Sequence, residues 1–386
     1  MPGLVIKPRS RLFHGHDWIY ASEIRKTFGD PEPGAVISLK DFKDRPLGSA
    51  IYNPRSQIVA RRFSRRKQDL DREFFLRRIG QAITLRERLS VDPALCRLVW
   101  SESDGLPGVV VDRYQDHLVL QTLTLAMDQR IDLIGSALQE LLNPASIVVR
   151  NDSPIRKAEG LELENRILHG SDPGALEVEH DGLRFEIHPL TGQKTGLYLD
   201  QLESYRRVAR FAAGKRVLDC FSNQGGFGLA CARAGATEVT CVDISESALE
   251  GVRTNAARNN LAVEAVEANV FDYLKASERQ WDLIILDPPS FTRSKKALGD
   301  ALRGYKEIHL RALGLLDHDG ILATYSCSHH VTRPLFVDSV RDAAVDARRT
   351  LRLVESHAQR EDHPILPTIP ETEYLKGLLL QLLPGR

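Results

Sequence analysis

After about Leu183 the chain settles into an alternation that few folds accommodate: a short apolar segment, a helical stretch, then another apolar segment. Five such segments, "KRVLDCF", "EVTCVDI", "VEAVEAN", "WDLIILDPP" and "GILATYSCS", each lead into a helical stretch long enough to cross back over a sheet. Strands joined by crossover helices run parallel, so the pattern specifies a doubly wound α/β sheet. Two more segments, "LRLVESH" and "LKGLLLQLL", have only a loop between them and are expected as an antiparallel edge hairpin. Together these make seven strands, mostly parallel.

A chain of 386 residues is too long for one ordinary core, so two or three domains are expected. Residues 1–70 alternate apolar and polar residues between Pro-Gly, Pro-Leu-Gly and Asn-Pro breaks, the pattern of a small β-barrel. A helix is expected from about Asp69 to Leu89, where apolar positions recur three and four apart. Residues 71–182 then combine that linker helix with strands and an amphipathic helix over "DQRIDLIGSALQELL", an α+β domain. Residues 183–386 form the α/β domain.

Lys and Arg number 52 against 52 Asp and Glu, yet residues 1–68 hold 14 basic and only 6 acidic side chains. A basic module beside a mildly acidic remainder suits a polyanionic partner. Its densest stretch is the edge Arg61, Arg62, Arg65, Arg66 and Lys67. The blander alternative is that these residues only solvate a small β domain. No apolar run reaches the roughly 18 residues of a membrane span, and the first residues lack the apolar centre of a secretory signal. The five cysteines (Cys96, Cys220, Cys231, Cys241 and Cys327) show no CxxC spacing. Reduced thiols in a cytoplasmic, membrane-free protein are therefore expected, with neither disulfide nor zinc cage.

The first strand of the α/β domain runs into "LDCFSNQGGFGLACARAGA". A strand, an acidic residue, a glycine-rich turn and a helix N-terminus in succession build a site for a nucleotide-like cofactor. GxGxxG is absent, which disfavours a dinucleotide. Asp219 precedes the glycines, where it would face an ammonium group, and the turn offers Phe221, Asn223, Gly225 and Phe227 as further contacts. Asp243 ends the second strand, where a carboxylate can accept hydrogen bonds from ribose hydroxyls. Asn269 and Asp272 follow the third strand and suit an adenine edge. Three strand ends carrying acid or amide groups in consecutive units resemble the class I S-adenosylmethionine methyltransferases. "TGQKTGLYLDQ" lies just before the first strand; Gln193 could close over the methionine end of such a cofactor, with Tyr198 and Asp200 as a lid.

"LDPPSF" ends the fourth strand at Asp287, which lies beside the cofactor's methyl in the resembled fold. Pro288 and Pro289 fix an extended backbone, and Phe291 can stack on a planar acceptor. Cys327 ends the fifth strand and is expected to face the same cleft. A pyrimidine C5 becomes a nucleophile when a thiolate adds at C6, and one cysteine beside Asp287 meets that need. The alternatives for Cys327 are an inert buried thiol or a metal ligand. No metal is expected, because His329 and His330 are adjacent on a chain turning into a helix.

The ordered set "GLPGVVVDRY", "GQKTGLYLDQ", "LDCFSNQGGFG", "VDIS", "LDPPSF" and "SCS" covers nearly the whole chain and resembles the RlmI-type family of large-subunit rRNA 5-methylcytosine methyltransferases. The resemblance implies an N-terminal PUA-like RNA-binding domain, a central domain, and a C-terminal class I, Rossmann-like methyltransferase domain. It also implies S-adenosylmethionine as cofactor, rRNA as partner, cofactor contacts at Asp219, Asp243 and Asp272, an active-site Asp287, and Cys327 as nucleophile. Two-cysteine RNA cytosine methyltransferases have a cysteine where this chain has Ser290, so cytosine against uracil is open. So are methylation of guanine or an exocyclic amine, an RNA-binding protein without turnover, and a homodimer.

Overall fold

The computed structural model describes residues 1–192, 196–292 and 294–383. It divides into two compact units, one holding Met1–Leu176, Ile187–Leu199 and Glu361–Thr372, the other Glu177–Glu186, Asp200–Arg360 and Glu373–Arg386.

In the first unit, six strands form one sheet in the order Trp18–Tyr20, Ile58–Ser64, Pro46–Tyr52, Val36–Lys40, Gly3–Ile6, Ile24–Phe28. Every neighbouring pair is antiparallel except Gly3–Ile6 with Val36–Lys40. The helix Arg72–Arg88 starts where the Asp71 carboxylate accepts the Phe74 N–H at 2.8 Å, a side-chain cap that sets its first turn. A five-stranded sheet follows, Leu95–Trp100, Val109–Tyr114, His117–Thr122, Ser146–Asn151 and Glu164–Gly170, paired in that order. Phe74, Phe75 and Ile79 from the helix pack with Val109, Val111 and Leu120 of the sheet, all fully buried.

The second unit is built on a seven-stranded sheet: β1 (Arg216–Cys220), β2 (Glu238–Asp243), β3 (Glu264–Glu267), β4 (Trp281–Leu286), β5 (Leu316–Ser326), β6 (Leu351–Ala358) and β7 (Lys376–Leu382). The spatial order is β3-β2-β1-β4-β5-β7-β6, with the first five parallel. The helices are α1 (Leu202–Ala209), α2 (Gly226–Arg233), α3 (Glu246–Arg258), α4 (Val270–Ala276), α5 (Leu298–Leu315) and α6 (Arg333–Asp346). The final pair is the expected antiparallel edge pair, with β7 on the inside against β5 and β6 at the edge. Burial explains this: β7 is buried at every position but Gln381, whereas β6 leaves most of its residues partly or fully exposed. A continuous apolar run needs both faces covered.

Pairing registers align the strand ends that matter. Cys220 pairs with Val242 on one side and with Leu286 on the other, and Leu286 pairs with Thr324. The residues just beyond these, Asp243, Asp287 and Cys327, therefore emerge at one edge, where open α/β sheets bind their ligands.

Candidate active site

The turn after β1 is conformationally costly. Phe221, Asn223 and Gly225 all have positive φ (60°, 47° and 82°); left-handed residues with side chains cost of order 1–3 kcal/mol each. Asp243 helps hold the turn, its two oxygens accepting the Asn223 and Ser245 N–H groups at 2.9 and 3.0 Å. Asp219 accepts the Gly228 N–H at 2.8 Å. A Cβ on Gly228 would stand 2.4 Å from Cys241 Sγ and 3.2 Å from Asp219 Oδ2, so only glycine permits this approach of helix to strand.

Asp219 is 1% exposed and its Oδ1 has no partner. Burial pushes its carboxyl up to about 8; the Gly228 N–H opposes this, while Asp287 and Asp243 add to it. Gln201 donates to Asp287 Oδ2 at 3.1 Å, and its own Oε1 is buried without a partner. Ser222 Oγ and Gln224 Oε1 are also orphaned around the turn. Three acidic side chains converge on this turn, and the orphaned Asp219 Oδ1 and Gln201 Oε1 are acceptors that a cationic donor would satisfy. S-adenosylmethionine, with its sulfonium, ammonium and ribose hydroxyls, fits that deficit. Asp219 and Gln201 would hold the charged end and Asp243 the ribose.

Other expected contacts have local duties. Asn269 caps α4 by accepting the Phe271 N–H at 2.9 Å, and Asp272 is exposed in that helix's first turn. Phe227 is 4% exposed between the rings of Tyr205 and Tyr325, a packing position. Phe291 lies against Phe221, Phe271 and Tyr305, forming a wall of the cleft. Asp200 is 7% exposed and accepts the Tyr374 hydroxyl at 2.7 Å, which anchors the chain ahead of α1. Tyr198 belongs to the first unit, and Gln193 lies outside the described residues.

Cys327 is partly exposed, with its Sγ 3.9 Å from the Pro288 carbonyl. The other four cysteines are buried, and burial raises the thiols of Cys220, Cys231 and Cys241 well above their ordinary range. A buried hydroxyl network fixes the strand end on either side of Cys327. Tyr305 OH meets Ser326 Oγ at 2.9 Å and Ser328 Oγ at 3.1 Å, and Ser328 Oγ meets Ser290 Oγ of the proline loop at 2.9 Å. Among the described residues no group of three His, Cys, Asp or Glu side chains could hold a metal.

The basic edge of the first unit needs correction. Arg61 is paired with Glu102 at 2.9 Å and Glu159 at 3.6 Å and lies over the Trp18 ring. Arg62 is 8% exposed and bonded to Asp17. Their carboxylate partners are distant in sequence, so a local charge count missed them. Arg65, Arg66 and Lys67 are exposed. Arg78 on the helix Arg72–Arg88 is partly buried with its Nε unpartnered; burial and the neighbouring Arg77 both disfavour its charge. Among the described residues no carboxylate pairs with Arg77 or Arg78.

Sequence reasoning also missed Gln201, Tyr305 and Ile244, which is 68% exposed next to Asp243. An apolar residue directly after the acid of the second strand was the available signal for Ile244.

Residues 164–381 match the S-adenosylmethionine-dependent methyltransferase family, and residues 7–65 match the PUA-like domain. The chain is 40% identical over 381 residues to the ribosomal RNA large subunit methyltransferase I of Tolumonas auensis, covering 96% of each chain. It is 38% identical over 391 residues to the protein of the same name from Vibrio vulnificus, covering 98% of each. Its fold is similar to that of a protein described as a methyltransferase and solved in complex with SAH (TM-score 0.86, 21% identity, 99% and 100% coverage).

Proposed function

We propose, for a chain that belongs to the ribosomal RNA large subunit methyltransferase I family and carries its S-adenosylmethionine-dependent methyltransferase domain, that the substrate is large-subunit rRNA and the product 5-methylcytosine. The observation that carries the reading is the position of Cys327. It is the partly exposed thiol among four buried ones, and it sits against the Pro288 carbonyl beside Asp287.

Bound S-adenosylmethionine supplies a sulfonium-activated methyl group. The Cys327 thiolate adds to C6 of the pyrimidine, and the C5=C6 electron pair moves onto C5. That carbon takes the methyl, with the neutral thioether as leaving group. A base then removes the C5 proton, the C5=C6 bond reforms, and Cys327 departs as thiolate. Asp287, oriented by Gln201, is the carboxylate at the end of the adjacent strand, and the Phe291 cluster walls the acceptor's place.

Residues 1–70 act in this reading as the RNA-binding module, 71–182 as linker and central domain, and 183–386 as the catalytic domain. Arg65, Arg66 and Lys67, extended by Arg77 and Arg78, meet the phosphates. Among the described residues no helix is long and apolar enough to cross a membrane. In this reading the protein works where rRNA is made, in the cytoplasm. Incubating rRNA with enzyme and methyl-labelled S-adenosylmethionine, followed by nuclease digestion and mass spectrometry, tests the reading. Label in 5-methylcytidine of the large-subunit RNA is expected. Label on guanine or an exocyclic amine would contradict it.

A further inference from the structure

Lys376 opens β7, in a strand otherwise apolar save for Gln381, and is 3% exposed. Its backbone pairs across the antiparallel ladder with Ser326, the residue before Cys327. Its Nζ donates to the carbonyl of Ser328, the residue after Cys327, and to the carbonyl of Tyr374, both at 2.7 Å. Lys376 thus holds the chain on either side of the thiol's own residue, through its backbone at Ser326 and its amine at Ser328. Among the described residues no carboxylate forms an ion pair with it. A buried ammonium held only by two carbonyls is poorly compensated, because charge taken from water needs an opposite charge nearby.

We propose that Lys376 is a positioning residue for Cys327, its ammonium fixing the Ser328 carbonyl and stabilising the Cys327 thiolate. The proposal rests on the reading of Cys327 as nucleophile and adds the group that prepares it. Burial pulls the Lys376 amine down to about 8, while Cys327 and Glu373 push it up and Arg333 pushes it down. These groups face it from the end of β5, from the chain leading into β7 and from the start of α6. Because coupling is reciprocal, an amine that senses the thiolate must favour the thiolate in turn. A purely structural lysine would leave the thiol's ionisation unchanged.

The test is the rate of Cys327 alkylation by iodoacetamide as a function of pH, read by mass spectrometry on the Cys327 peptide, with the four buried cysteines as internal controls. Lys376→Met should move the half-maximal point upward by about one pH unit and so slow alkylation at pH 7 about tenfold. Lys376→Arg, which keeps the charge, should restore most of the rate. An unshifted profile in a Lys376→Met protein that still binds S-adenosylmethionine overturns the proposal. Should that variant not fold, the reciprocal measurement decides: an NMR titration of the Lys376 amine should move to lower pH in Cys327→Ser than in the parent protein. No movement overturns it equally. Near-normal methyl transfer by Cys327→Ser would instead sink the nucleophile reading, and it leaves the alkylation result separately legible.

Discussion

Asp219 holds a carboxyl in a place where ionisation is costly until a cation arrives. Its pKa in the folded chain, raised to about 8, lies above the unfolded value of 3.8. The stability it contributes is therefore fully present below about pH 4 and is lost as pH rises toward 8. Asp219→Asn should match the parent in thermal stability near pH 4 and exceed it by a few °C at pH 8; a constant difference across that range would refute the assignment. Cofactor binding should have the opposite dependence. The cation draws the proton off Asp219, so affinity rises from pH 6 to 8 and protons are released, as calorimetry in buffers of different ionisation enthalpy would register. The Asn variant should bind weakly and without that slope. Asp243→Ala should weaken S-adenosylmethionine binding by about 1–3 kcal/mol through lost hydrogen bonds to the ribose, and unchanged affinity would remove it from the site. Both acids were legible because they end strands in an alternating pattern. Arg61 and Arg62 were misread for a physical reason: Glu102 and Glu159 lie beyond residues 1–68, and although Asp17 was counted there, a tally of charges does not say which of them meet. Breaking those pairs should destabilise the first unit by roughly 3–5 kcal/mol in urea unfolding, the cost of leaving a buried acid alone.

The glycine-rich turn shows what a sequence motif leaves unsaid about an element. Its position after β1 was readable, but its tolerances depend on Cys241, from the neighbouring strand, lying under Gly228. Gly228→Ala should destabilise the protein by about 1–3 kcal/mol through overpacking and lower cofactor affinity, because the hydrogen bond to Asp219 would open. Adding Cys241→Ala should recover part of both losses, and a double-mutant cycle measures the coupling. Strictly additive losses would mean that the two residues do not meet. The place of β7 inside the sheet followed the same logic. Its antiparallel pairing with β6 was legible from two apolar segments joined by a loop, but its second neighbour, β5, was not, because an apolar run demands cover without naming a partner strand. Lys376 and Tyr305 were invisible as site residues, since nothing in a lone charge or a helical tyrosine says which strand end it will grip.

Across the whole molecule the two signs of charge serve different ends. Exposed cations gather in residues 65–78 of the first unit, and acids ring the cofactor cleft of the second. Neutralising Arg65, Arg66 and Lys67 should leave S-adenosylmethionine affinity unchanged. It should also flatten the salt dependence of RNA binding by about 0.7 log units for each phosphate no longer neutralised. An unaltered slope would send the RNA path elsewhere. The seven-stranded sheet was readable from sequence, because "LDCFSNQGGFG", "VDIS", "LDPPSF" and "SCS" follow strands whose ends the parallel sheet delivers to one edge. The most direct measurement uses RNA whose target cytosine carries fluorine at C5. With no C5 proton to lose, the reaction should stop after methyl transfer. An RNA–protein complex that survives denaturing gels and whose crosslinked peptide maps to Cys327 is the expected result. Absence of that complex in an enzyme that methylates unmodified RNA, or a crosslink at another residue, would contradict it.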